Sequence, residues 1–163
     1  MNRAARALYF TALGIWVGGM ATLGVVVAPT LFRSAPRALA GTMFGSVLRA
    51  FGPFQIALGI LAALAVGVLI QGGELRPRSG WIRLSVLLLM LLVALNAQFV
   101  LGPAIEHERA SIANFDSIPA GVPARARFDS LHAWSVRLAS LSLLAGLGLL
   151  VWSASTVRAS DGS

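Results

Sequence analysis

The chain has 163 residues, 57% of them hydrophobic and only 12% charged, against roughly 25% charged in an average soluble domain. A domain this small exposes too much surface to be covered by so little charge, which excludes a soluble globule, a disordered tail and a coiled coil and leaves an integral membrane protein. The formal charge is +7, from 13 basic and 6 acidic residues.

Every basic residue is arginine, so Schiff-base lysine chemistry is excluded. There is no cysteine, which removes disulfides, thiolate metal sites, iron–sulfur clusters and cysteine nucleophiles together. The arginines flank long apolar runs, a pattern that points to membrane anchoring and topology rather than to nucleic acid.

A hydrocarbon core about 30 Å thick takes roughly 20 apolar residues of helix. The first such run is 8–28, closed by Pro29. Its 21 residues exceed the signal-peptide apolar region of about 7–15, so it reads as a retained span. The segment 36–51 follows. In it Leu39, Met43, Val47, Leu48 and Phe51 recur at helical spacing, with Arg37 and Arg49 elsewhere. It leads into the second span, 53–70. One straight helix from Leu39 to Ile70 would be roughly 48 Å long, so an amphipathic, interfacial half-helix kinked at Pro53 is expected. The third span is 84–101, closed by Gly102-Pro103. The fourth is 131–152, with its apolar core at Leu138–Trp152 and an extension back toward Phe128. The extramembrane connection 103–127 begins with Glu106-His107-Glu108-Arg109, which can prolong the third helix. Ile118–Pro123 should be irregular. The expected fold is all-α: one membrane domain, a four-helix bundle with an amphipathic kinked segment before the second span.

Four spans put both termini on one side. Six arginines (Arg3, Arg6, Arg76, Arg78, Arg83, Arg158) then face six (Arg33, Arg37, Arg49, Arg109, Arg125, Arg127), and the positive-inside rule does not decide. Arg3 and Arg6 on the first helix favour cytoplasmic termini. Tyr9, Trp81 and Trp152 would share one interface as an aromatic belt.

Helices in lipid associate through close backbone approach and polar contacts. Gly14 and Gly18, Gly41 and Gly45, Gly59 and Gly67, and Ser135 and Ala139 supply small residues at helical spacing for a compact bundle. The third span, with its run of leucines, suits lipid or a partner subunit. Asn96, Gln98 and Arg137 are polar groups at membrane depth, each costly unless paired. Interhelical hydrogen bonds are the plainer reading of the two carboxamides, and a substrate path the sharper one. For Arg137 the plainer readings are snorkelling or an ion pair with Glu106 or Glu108.

His107 and His132 fall at the same membrane face. With Glu106 they could bind a metal ion, and as two imidazoles they could hold haem iron. The spacing matches no ligand motif; the local alternative makes His107 a solvated residue and His132 a hydrogen-bonding one. No hydrolase elbow, P-loop, G-x-G-x-x-G or H-E-x-x-H is present. Ser130 and His132 point to different faces of one helix, a poor nucleophile–base pair.

Several short patterns nevertheless fall together: Trp16-Val17-Gly18-Gly19-Met20, Ala28-Pro29-Thr30-Leu31-Phe32, Ala40-Gly41 leading to Gly45, and Phe128-Asp129-Ser130-Leu131-His132 with Ser135 after it. On these the chain resembles, over nearly its whole length, the small four-span bacterial membrane proteins carrying domain of unknown function 4149. It is similar to the animal transmembrane protein 205 group, which is associated with cisplatin resistance. The resemblance implies a fold and a bacterial inner-membrane location, and no catalytic chemistry. The family's tryptophan, proline and histidine positions map onto Trp16, Pro29 and His132.

The expected function is therefore a non-enzymatic four-span membrane protein without cofactor. Its partners are the bilayer and other membrane-protein subunits, not nucleic acid, and an accessory or stabilising role in a larger complex fits best. The alternatives are a metal- or haem-binding protein using His107 and His132, and a small-molecule or ion permease or resistance protein.

Overall fold

A computed structural model of the chain describes residues 2–111 and 122–158. The described residues are helical with short connections and no strand: α1 (Arg3–Thr22), α2 (Ala28–Ser34), α3 (Arg37–Gln71), α4 (Pro77–Asn96), α5 (Gly102–Ala110) and α6 (Pro123–Arg158). Four continuous rods result, Arg3–Ser34, Arg37–Gln71, Pro77–Ala110 and Arg125–Thr156, each long and apolar enough to cross a membrane. In hydrocarbon a helix satisfies its own backbone groups, which is why apolar runs of this length fold as helices despite their Val and Ile content.

Neither Pro29 nor Gly102-Pro103 ends its helix, contrary to expectation. A π-helical turn, Leu23–Val27, joins α1 to α2, and a second, Ala97–Leu101, joins α4 to α5. Each turn closes with a bond across five residues, from the Ala28 amide to the Leu23 carbonyl and from the Gly102 amide to the Ala97 carbonyl. The proline comes one residue later in both. Inside a regular helix a proline ring strikes the carbonyl four residues back. The extra residue of a π-turn changes where that carbonyl sits, and the rod continues. The third helix thus runs to Ala110, through the Glu106-His107-Glu108-Arg109 stretch expected to be able to prolong it. Likewise 36–51 and 53–70 are not two elements but one 35-residue helix with Pro53 inside it. The irregular stretch expected at Ile118–Pro123 lies mostly outside the described residues.

Helix ends follow local chemistry. The Asn2 side chain accepts from the Ala5 amide and starts α1. Ala35 is extended before Pro36, and Pro77 opens α4 at its first turn. Between α3 and α4, Gly73 has φ +70°, a backbone state that side chains with a Cβ rarely adopt. Exposed hydroxyls on Thr22, Thr30, Ser34, Thr42 and Ser46 donate to carbonyls four residues back in their own helix. That keeps them satisfied where no water is present.

The core lies where α1, α3, α4 and α6 meet, around Leu13, Trp16, Val66, Leu87 and Met90, all fully enclosed. The glycines divide sharply. A Cβ on Gly59 would lie 2.7 Å from the Trp16 ring, and one on Gly146 2.6 Å from Val17. Gly19 lies as close to Phe51, and Gly80 to Ile70. Gly14, Gly18 and Gly67 have no such neighbour within 4 Å. These three were expected at helix contacts but sit on open sides of their helices, because the azimuth of each rod is set by the large side chains it encloses. Gly41 and Gly45 face the side chains of Arg109 and Glu106. Ser135 is half-buried and Ala139 exposed.

Candidate functional site

Polar chemistry gathers at the two ends of the bundle. At one end α5 packs beside α3 and α6. Glu106 pairs with Arg49 of α3, Glu108 lies 3.7 Å from Arg127 of α6, and Arg125 lies 3.5 Å from Asp129. The Arg109 guanidinium stands over Phe128, 5.3 Å from the ring centroid. Gly41 has no side chain at that point, so the guanidinium can approach the α3 backbone.

Arg137 does not join this cluster. Its guanidinium lies 5.6 Å from the Trp134 ring centroid, on an exposed part of α6, so the expected pair with Glu106 or Glu108 does not form. Both glutamates are already engaged from α3 and from the start of α6. His107 is exposed; His132 is exposed and stacked on Phe128, with ring planes 3° apart and centroids 5.9 Å apart. Among the described residues no group of three His, Asp or Glu converges. Glu106, His107 and His132 are therefore not brought together as one ligand set.

Of the intramembrane carboxamides, Gln98 makes an interhelical hydrogen bond. Its Nε2 donates to the Arg49 carbonyl at 3.5 Å, and its side chain fills the space left by Gly52. Gln55 contacts the Met20 sulfur at 3.4 Å. Asn96 is half-buried.

The opposite end joins the start of α1, the α3–α4 turn and the end of α6. Glu74 accepts from the Arg6 Nε at 2.9 Å and from the Asn2 amide. These contacts, the Asn2 amide first and then the Arg6 charge, hold its carboxyl below the usual glutamate value. Tyr9 is not an interfacial belt residue: it is 3% exposed and bonds Ser153 of α6 at 2.9 Å. Trp152 lies under Arg83 at 4.5 Å, and Trp81 alone of that trio is well exposed.

Arg83 was counted as one of the loop charges, yet it is 2% exposed. The missed signal is periodicity. Gly80, Arg83, Leu87, Met90 and Ala94 are the buried stripe of α4, spaced by three and four residues.

No curated protein and no solved structure matches the chain. A family model described as "Domain of unknown function (DUF4149)" matches residues 11–114, which covers the first rod from Thr11 onward and the second and third rods in full. With four helices apolar enough to span a membrane, the chain is a multi-pass membrane protein, and it belongs to the domain of unknown function 4149 family.

Proposed function

We propose that the protein is a non-enzymatic accessory or stabilising subunit of a larger membrane complex, without a cofactor of its own. In this reading it resides in the bacterial inner membrane with both termini cytoplasmic, the side favoured by Arg3 and Arg6.

One observation carries the subunit role. The Asn96 carboxamide sits deep in the third rod and makes no side-chain hydrogen bond among the described residues. By helical spacing Leu89, Leu92, Asn96 and Phe99 share one face. Leu89, Leu92 and Phe99 are 64%, 64% and 66% exposed. This rod is also the least enclosed of the four, with 17% of its most apolar stretch buried. Leucine and phenylalanine are at home in lipid. A carboxamide is not, and a neighbouring helix is what satisfies it.

The test is native mass spectrometry after mild detergent extraction. The expected result is a stoichiometric assembly heavier than one chain, weakened several-fold by Asn96→Leu, in line with about 1 kcal/mol for such a bond. A monomer at every concentration, or an assembly indifferent to Asn96→Leu, overturns the reading.

A further inference from the structure

The end of the bundle that carries the α3–α4 turn contains a cavity of about 600 Å³. Arg83, itself 2% exposed, is one of its lining residues. One terminal nitrogen of that guanidinium donates to the Thr156 hydroxyl at 2.9 Å, and its Cζ lies 4.5 Å from the Trp152 ring centroid. The Nε–H is buried and has no acceptor among the described residues. Among the described residues no carboxylate pairs with this cation. The acidic residue lining the cavity, Glu74, bonds Arg6 and the Asn2 amide instead. Arg6 and Arg76 also line the space, so among the described residues three guanidinium groups stand against one carboxylate.

A desolvated cation with one neutral hydroxyl and a ring for company is costly. What would satisfy it is an anion offering several oxygens to a planar fork of N–H donors. The cavity's position narrows the choice. Arg76 lies in the turn between two spans, at the level where a rod leaves the membrane. Phe10, Leu69 and Trp152 add apolar surface to the lining. Guanidinium groups beside apolar surface at this end of the bundle suit a phosphate group, free or on a lipid.

We propose that this cavity is a phosphate-binding site whose guanidinium donors are Arg83, Arg6 and Arg76. The inference is independent of the subunit reading, because it uses neither Asn96 nor the outer face of the third rod.

The test is thermal unfolding of the full chain in a neutral detergent. Three additions are compared: phosphatidylglycerol, phosphatidylcholine, and inorganic phosphate against chloride at equal ionic strength. A rise in Tm with phosphatidylglycerol but not with inorganic phosphate identifies a lipid headgroup. A rise with inorganic phosphate, and none with phosphatidylglycerol beyond that with phosphatidylcholine, identifies a free anion. A rise with both identifies the phosphate itself as the recognised group. The apparent affinity should fall at least tenfold in Arg83→Gln and be kept in Arg137→Gln, whose arginine lies outside the cavity. Ser79→Glu covers the case in which Arg83→Gln does not fold. It places a carboxylate on the half-buried lining, where it competes for the arginines, and should abolish the shift. No shift in the unaltered protein, or a shift that survives in folded Arg83→Gln or in Ser79→Glu, overturns the proposal.

Discussion

The Gln98 side chain donates to the backbone carbonyl of Arg49, the acceptor that in a regular helix would receive the amide of residue 53. Residue 53 is proline and has no amide hydrogen. A side chain from the third rod thus serves a carbonyl that proline orphans in the second. Gly52 gives it room, since a Cβ there would overlap the Gln98 carboxamide. The intramembrane glutamine and the helix-internal proline are one structural device.

This coupling is measurable as a double-mutant cycle. Gln98→Met should destabilise by about 0.5–1.5 kcal/mol, the net contribution of one such hydrogen bond. In a Pro53→Ala background the restored amide bonds Arg49 directly, and most of that loss should disappear. Equal losses in both backgrounds, followed by chemical denaturation in detergent, would show that the two residues act independently.

The glycines should separate by position rather than by motif. Gly59→Ala puts a methyl into the Trp16 ring and should cost about 1–3 kcal/mol through overpacking. Gly14→Ala and Gly18→Ala meet no neighbour and should be neutral or stabilising by up to about 1 kcal/mol. Melting temperatures of the three variants, measured in one detergent, make the comparison.

Glu74 sets an acid limit at the cavity end. Its folded pKa lies below the ordinary value because the Asn2 amide and the Arg6 charge favour the carboxylate. A depressed carboxylate pKa contributes stability that is complete above the unfolded value of about 4.3 and is lost as pH falls through the lower folded value. Glu74→Gln should flatten that part of the pH–stability curve. Because the Arg6 side chain is partly exposed, the difference should shrink somewhat in high salt.

A subunit without its own cofactor predicts a purified protein with no Soret band and no stoichiometric metal. Since His107 and His132 are both exposed, changing both to alanine should alter stability by no more than about 0.5 kcal/mol. Absorption spectra, metal analysis and a melting curve check this together, and a visible band lost with either histidine would reinstate the haem reading.

Four helices, their lipid environment and their approximate centres were legible in the residues, because a bilayer leaves an apolar run of this length no other satisfied backbone state. The continuation of the third helix through Glu106-His107-Glu108-Arg109 was legible for the same local reasons. Which way each rod faces was not. Arg83 turns inward, Glu106 chooses Arg49 over Arg137, Gly59 meets Trp16 while Gly14 meets nothing, and Tyr9 finds Ser153, 144 residues along the chain. Pro29 and Pro103 end nothing, since a π-turn before each absorbs the ring. Hydropathy acts on a segment by itself and so decides that it crosses the membrane. Azimuth and register are settled by contacts between segments distant in sequence, and those exist only once the bundle has assembled.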